Sequence, residues 1–282
     1  MILFRKADEL RNYLEVQALK GKRLGFVPTM GALHSGHLSL LETSLRENDL
    51  SICSIFVNPT QFNDPADLKN YPVSTEEDIR LLISGGCDIL FFPSVEEIYP
   101  AGLETTSRFD LGYLETVLEG EYRPGHFQGV CRVVDRLLDI VQPHTLYLGQ
   151  KDYQQCLVIK KLVYLAHREA IRIVICPTWR QPDGLAESSR NRRLNNKQRA
   201  IAPVIFKTLS EIRNEIGAGS LTAIRDNARR TLETHGFRVD YVEIANAETL
   251  EPAEHWDGRR KLVALAAVFL DDVRLIDNLL IP

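Results

Sequence analysis

The stretch Gly25 to Leu40, GFVPTMGALHSGHLSL, sets His34 and His37 three residues apart, where an apolar run ends and an amphipathic pattern begins. Both imidazoles share one face if a helix starts near Ser35. A helix N-terminus carries unpaired backbone N–H groups and the positive end of the dipole, and two imidazoles there add donors for an anion. The chemistry this suits is nucleotide binding through phosphate. The same spacing is also compatible with plain helix capping or with exposure to solvent. Zinc fits less well, because two imidazoles are only two ligands and no Cys or acidic partner follows at metal-site spacing. The sequence has no G-x-x-x-x-G-K-[ST] loop, so a triphosphate here requires another device.

The elements that must position these histidines can be read around them. Leu24 to Val27 suits a buried strand, followed by a turn with Pro28, Gly31 and Gly36 and then a helical face of Leu38, Leu41 and Leu45. Residues 8 to 20 predict a first helix ended by Gly21. Leu50 to Val57 predicts a second buried strand, running into the turn-like NPTQFNDP. Ser74 to Ser84 opens with a Ser-Thr-Glu-Glu cap signature and closes at Gly85-Gly86, the marks of a helix. Ile89 to Phe92 predicts a strand, the stripe Val130 to Val141 a helix, Thr145 to Leu148 a strand, Gln154 to Leu165 a helix and Ile171 to Cys176 a strand. This alternation implies an α/β fold, a parallel sheet with helices on both faces.

Pro177 to Asn195 reads as a domain junction, giving a first domain over 1–176 and a smaller α+β domain over 177–282. In the second, Ile201, Val204, Ile205, Leu209, Ile212 and Ile216 make one long helical stripe, and Ser220 caps a helix that runs to His235. Three strand-like segments close the chain, near 238–244, 261–269 and 273–280.

Composition narrows the function classes. The chain has 282 residues, 44% hydrophobic and 26% charged, with a net charge of -4. That balance argues against a nucleic-acid coat or an anionic-membrane binder, which need clustered Lys and Arg. Cys53, Cys87, Cys131, Cys156 and Cys176 are odd in number and mostly set in apolar runs, as expected of buried thiols in a reducing compartment. The N-terminus lacks a signal-type apolar core, and the longest apolar run, Leu262 to Leu270, is too short to span a bilayer. The expectation is a cytoplasmic protein.

In open parallel sheets, ligands gather beyond the carboxyl ends of the strands. That rule selects Pro28 to His37, Asn58 to Asn63, Gly149 to Asp152 and Pro177 to Asn191. Gly149 permits close backbone approach, Lys151 supplies a point charge and Asp152 an acceptor for ribose hydroxyls. Ser188, Ser189, Arg190 and Asn191 offer two hydroxyls and a guanidinium able to bind phosphate oxygens bidentately. Singly, each is compatible with an ordinary solvated loop; their joint placement points to a nucleotide. Gln61 and Gln155 are two neutral amides expected to project from adjacent strand ends into one crevice, which suits a polyhydroxy ligand.

Taken together, PTMGALHSGH at 28–37, FVNPTQF at 56–62, EGEYRPGHFQGV at 119–130, GQKDYQQ at 149–155, DGLAESSRN at 183–191 and RLIDN at 274–278 resemble the pantothenate synthetase family, the AMP-forming pantoate:β-alanine ligases. The resemblance spans nearly the whole chain. It implies a Rossmann-like, doubly wound parallel sheet, a C-terminal domain that acts as a lid, and a homodimer. It also implies ATP, pantoate and β-alanine as small-molecule substrates, with Mg²⁺ carried by the ATP phosphates, while the charge balance and hydropathy speak for no nucleic acid and no membrane as partners. By matched motif, His34, His37, Lys151, Ser188, Ser189 and Arg190 carry the phosphate chemistry. The nucleotide lies along Met30, Gly31, Ala32, Leu33, His34, Ser35, Gly36 and His37, along Gly149, Gln150, Lys151 and Asp152, and along Trp179, Glu187 and Ser188 to Arg190. Gln61 and Gln155 bind pantoate, assisted by Asn58 and His126, with Arg123 as a further candidate.

The sequence departs from the family pattern at Glu187, where Met or Leu is usual, at Trp179, where a small aliphatic is usual, and at Gln150, where an acidic residue is usual. A carboxylate beside a triphosphate is repulsive, so Glu187 is expected to turn its side chain outward. Rival readings are another nucleotidyl transferase sharing the His-x-Gly-His loop, a fragment of a tRNA synthetase, and a non-enzymatic nucleotide sensor.

Overall fold

A strand covered on both faces must be apolar at nearly every position, and the runs at 24–29, 50–55, 89–91 and 145–149 meet that condition. The computed structural model describes residues 1–103, 108–217 and 220–282. Its strands are β1 (Ile2–Phe4), β2 (Leu24–Thr29), β3 (Leu50–Ile55), β4 (Ile89–Phe91), β5 (Thr145–Gly149), β6 (Arg172–Cys176), β7 (Arg238–Asn246), β8 (Leu262–Leu270) and β9 (Val273–Ile281). The helices are α1 (Ala7–Leu19), α2 (Ser35–Glu47), α3 (Pro65–Lys69), α4 (Thr75–Ser84), α5 (Val95–Ile98), α6 (Glu119–Tyr122), α7 (His126–Val141), α8 (Tyr153–Leu165), α9 (Asn196–Ile201), α10 (Val204–Glu215) and α11 (Leu221–Thr234).

The first six strands form one sheet in the order β1-β4-β3-β2-β5-β6, with every pair parallel. Alternate residues go to opposite faces. Phe26, Ile52, Ile89, Phe91, Leu146 and Leu148 pack with α1, α7 and α8. Cys53, Ile55 and Leu90 pack with Leu41 of α2 and Leu82 of α4, while Val27 and Tyr147 pack with Leu40 of α2. The sheet is therefore doubly wound, Rossmann-like. Phe26, Phe91 and Phe127 are fully buried, and each such side chain contributes roughly 1.5–3 kcal/mol of burial. Strand order reverses between β2 and β5, the switch point where such sheets open a crevice.

The chain divides into two compact units, Met1–Gly149 with Gln155–Pro177, and Gln150–Gln154 with Thr178–Pro282. The sequence places a single boundary after residue 176; in the structure the short segment 150–154 goes with the second unit. That unit is an antiparallel meander, β7-β8-β9. Ile205, Leu209 and Ile212 of α10 and Leu221, Ile224 and Leu232 of α11 cover it, and Trp256 packs against the same core.

Three differences from the sequence expectation have local causes. The single stripe expected from Ile201 to Ile216 is broken into α9 and α10 around Pro203, whose missing N–H cannot continue the ladder. An Asn195–Gln198 capping box starts α9 instead. Pro28, read as part of a turn, lies inside β2, at a stretch where β2 pairs with β3 but no longer with β5. The strand β1 has no sequence signal beyond the short apolar triplet ILF. Among the described residues, no helix is long and apolar enough to cross a membrane.

All five cysteines are free and buried. Burial pushes the thiols of Cys53 and Cys176 up, and those of Cys87 and Cys131 to about 11 and about 12. The thiolate is the reactive form. A disulfide-exchange chromophore at pH 8 should accordingly find no fast-reacting thiol in the native protein and five in denaturant. A rapid native phase would show that one of these sites opens.

Candidate active site

In the first unit the histidine loop is built from its backbone outward. Thr29 ends β2, its hydroxyl donating to Ser54 O at 2.7 Å and accepting the Gly31 N–H at 3.2 Å. The chain then passes through the left-handed region at Gly31 (φ 80°) and Ala32 (φ 48°), a conformation costly for alanine. What holds it is Asp78 on α4, only 1% exposed. Its carboxylate accepts the N–H groups of Ala32 at 2.9 Å and Leu33 at 2.8 Å, and the Ser74 hydroxyl at 3.0 Å. Hydrogen bonds to a charged acceptor are worth about 1.5–3 kcal/mol each, enough to offset the strain. Ser74, expected to cap α4 through its side chain, makes no such cap and turns to Asp78 instead.

That loop delivers His34 to the N-cap of α2, where Nδ1 accepts the Gly36 N–H at 3.2 Å. The neutral His34 ring therefore carries its proton on Nε2. The helix does begin at Ser35, and the His34 and His37 rings meet with centroids 4.0 Å apart, tilted by 36°. Capping and pairing thus coincide in one histidine. Beyond the carboxyl ends of β2 to β4 lies a cavity of about 240 Å³ bordered by Met30, Gly31, Ala32, Phe56, Val57 and Phe92, among others.

A second cluster follows β3. Asn58 is fully buried; its Nδ2 donates to Gln61 Oε1 at 3.0 Å and Gly129 O at 3.1 Å. Its Oδ1 accepts from Thr60 N, Thr60 Oγ1 and the Tyr99 hydroxyl at 3.3, 3.0 and 2.8 Å. The Gln61 amide oxygen is thereby turned to Asn58 and its NH2 the other way. His126 holds the backbone of the same residue, with Nδ1 2.8 Å from Gln61 O and Nε2 3.1 Å from Arg123 Nη1. Because guanidinium only donates, Nε2 is the acceptor, and Nδ1 carries the proton given to the carbonyl. Asn58 and His126 thus act on Gln61. Helix α7 comes so near that a Cβ on Gly129 would sit 2.1 Å from Thr60 O, which leaves room for glycine alone.

Gln155, expected at the start of a helix and at a strand end adjacent to that of Gln61, lies half-buried in the first turn of α8. The two amides do not follow adjacent strands, because β2 runs between β3 and β5. Gly149 ends β5 and is open around its Cα.

In the second unit, Gln150–Asp152 forms a 3₁₀ turn in which the Lys151 ammonium lies 3.5 Å from Asp152. The Trp179–Glu187 stretch is a small hairpin, bridged at Arg180 and Ala186 and by Glu187 N to Trp179 O at 2.9 Å. Its turn needs Gly184, at φ 92°, where a Cβ would strike the Phe206 ring at 2.4 Å. The Glu187 carboxylate accepts from Gln181 Nε2 at 2.9 Å, so it is engaged within the hairpin. Trp179 is half exposed. Ser188 caps the 3₁₀ turn Ser189–Arg193, its hydroxyl accepting the Arg190 N–H at 3.3 Å. Ser189 is buried and Arg190 half-buried.

Sequence reasoning missed Asp78, Arg180, Asp277 and Asn278, all of which hold site loops. Asp277 and Asn278 left one signal, two polar residues inside the apolar strand VRLIDNLLI. Asp78 left none that separates it from the other acids opening α4.

Comparison with known proteins places this geometry. The Pantoate-beta-alanine ligase family model matches residues 2–280. Pantothenate synthetase from Pseudomonas fluorescens is 46% identical over 96% of this chain and 94% of its own. That from Cytophaga hutchinsonii is 42% identical over 100% and 99%. The crystal structure of pantothenate synthetase from Thermus thermophilus superposes with a TM-score of 0.90 at 42% identity, covering 99% of both chains. Pantoate-beta-alanine ligase from Francisella tularensis, complexed with Beta-gamma ATP and Beta-alanine, gives 0.80 at 38% identity, covering 99% of this chain and 97% of its own. The chain belongs to the pantoate-β-alanine ligase family.

Proposed function

We propose that this ligase condenses pantoate with β-alanine to pantothenate by way of a pantoyl adenylate, with ATP as the activating substrate. The observation that carries the reading is the close, tilted ring pair of His34 and His37 at the start of α2, beyond the carboxyl end of β2. A pantoate carboxylate oxygen attacks the α-phosphorus, the P–O bond to the β-phosphate breaks and pyrophosphate leaves. The β-alanine amine then attacks the acyl carbon and AMP departs. Negative charge builds on the phosphates in the first step, and fixed donors facing it lower the barrier. His34, with its proton on Nε2, and His37 are assigned that task. Lys151, Ser188, Ser189 and Arg190 of the second unit are assigned to phosphates, with Met30, Gly149 and Asp152 at the nucleoside. Gln61 and Gln155 are assigned to pantoate. The donor set of imidazole, ammonium, guanidinium and hydroxyl suits phosphate oxygens rather than a hard cation, so Mg²⁺ is taken as part of the ATP substrate. A homodimer rests on the family resemblance alone, and a cytoplasmic location on the five buried thiols, which suit a reducing compartment.

Replacing either histidine by Ala should slow adenylate formation by about 10²-fold, the scale of one lost preorganised donor. His34→Asn, which keeps a capping acceptor, should restore helix stability but not the rate. If both Ala variants turn over normally, the pair is structural only.

Gln61→Ala and Gln155→Ala should each weaken pantoate binding by about 0.5–1.5 kcal/mol while leaving ATP binding unchanged. Asn58→Ala should reproduce the Gln61 loss by releasing its amide. Calorimetric titration separates the ligands, and equal losses for both would contradict this assignment.

The order of bond changes is tested by isotope. With ¹⁸O in the pantoate carboxylate, label should appear in AMP, and pyrophosphate should exchange into ATP with pantoate present and β-alanine absent. Label in free phosphate, with ADP as product, would overturn the proposal.

A further inference from the structure

The RLIDN segment at 274–278 is a matched motif to which the reaction assigns no task. All five of its residues lie in β9, and two of them, Asp277 and Asn278, are buried polar side chains where apolar ones would suffice for packing. Asn278 is 2% exposed. Its Nδ2 donates to the carbonyls of Gln150 at 2.9 Å and Lys151 at 2.8 Å, and its Oδ1 accepts from Gln150 Nε2 at 3.2 Å. One side-chain amide therefore uses both of its N–H groups and its oxygen on a single turn, the one that carries Lys151. Without Asn278, those two carbonyls would lose their donor.

Asn278 is itself held from behind. Its backbone N–H donates to Asp277 Oδ1 at 2.8 Å, and its carbonyl accepts from Arg180 Nη2 at 3.1 Å. Arg180 binds Asp277 in a bidentate pair at 2.6 and 2.9 Å, donates to Gly184 O at 3.1 Å and lies 3.9 Å above the Phe206 ring. Burial raises the Asp277 carboxyl above its ordinary value, while Arg180 and the Asn278 N–H pull it down. These contacts join the Lys151 turn, the hairpin that leads to Ser188 and the end of β9 into one hydrogen-bonded frame.

We infer that Asn278 is a positioning residue for the reaction, fixing the Gln150–Lys151 turn so that the Lys151 ammonium is held where charge develops on the phosphates. The inference rests on the assignment of Lys151 to that task. An amide is required there. A carboxylate would set acceptor against acceptor at both carbonyls, and Ala or Ser cannot span them with two N–H groups. Gln150 fits the same logic, because the acidic residue usual at its position could not donate to Asn278 Oδ1.

The test is a double-mutant cycle on the full-length enzyme, read as the rate of pantoate-dependent pyrophosphate exchange. Lys151→Ala should lower that rate about 10²-fold, and Asn278→Ala and Asn278→Asp about tenfold to a hundredfold, as expected for a displaced catalytic group. In the Lys151→Ala background, Asn278→Ala should cost no more than about a further twofold, since the group it positions is already gone. Thermal melts run alongside, with Asn278→Ser as a second variant should Asn278→Ala fold poorly. Losses that multiply in the double variant, or a native rate in Asn278→Ala or Asn278→Ser, overturn the inference while leaving Lys151 in place. A native rate in Lys151→Ala removes the assignment on which it rests, and the inference with it.

Discussion

A carboxylate taken out of water must find donors for its oxygens or not be buried at all. Asp78 meets that demand with the backbone of Ala32 and Leu33, and in doing so decides how the chain leaves β2. The left-handed turn at Ala32 follows from it, then the extended backbone of His34, the start of α2 at Ser35 and the contact between the two imidazoles. The far half of α2 is fixed separately. A Cβ on Gly25 would lie 2.2 Å from Ser44 Oγ, so the glycine lets the helix settle onto β2, and Ser44 shares a 2.7 Å hydrogen bond with Ser51 of β3. With its beginning tied to α4 and its body tied to the sheet, α2 has little freedom to shift the histidines.

Much of this was legible in the sequence, for reasons that can be located. The apolar runs at Leu24, Leu50, Ile89 and Thr145 are strands because parallel strands need covering on both faces, and their alternation with amphipathic stripes fixes the class of sheet. His34 and His37 were legible because one short motif brings them together. The frame around Gln61 was not. Its amide is turned by Asn58 three residues away, but its carbonyl is held by His126, 65 positions later, and only Gly129 permits the approach. Asp78 and Asn278 escaped for the same reason. Their partners lie 45 and 46, or 127 and 128, positions off, and a sequence carries no mark of which buried polar group will meet which distant backbone. The break at Pro203 was a plainer miss, since the apolar stripe runs straight across it and periodicity outvoted the missing N–H.

Supporting residues in both units share a pattern. Three of the segments that carry the proposed site residues are each held by a buried polar group that binds backbone: Asp78 for the histidine loop, His126 for Gln61, Asn278 for the Lys151 turn. Backbone partners tolerate change in the residue presented, provided the turn survives. The bonds from Asn278 to the carbonyls of Gln150 and Lys151, and the backbone bond from Glu187 to Trp179, do not depend on which side chains stand at 150, 179 and 187, where the sequence departs from the family pattern.

The chain has two tryptophans, Trp179 and Trp256, and both lie in the second unit, one half exposed on the hairpin before Ser188 and one packed on the core under α10 and α11. Indole emission therefore originates in the second unit alone. Far-ultraviolet dichroism, by contrast, sums over helices of both units. Two separate cores need not melt together, so the two optical signals follow different populations whenever one unit loosens before the other, and their coincidence or divergence along a denaturant series measures how strongly the cores are coupled.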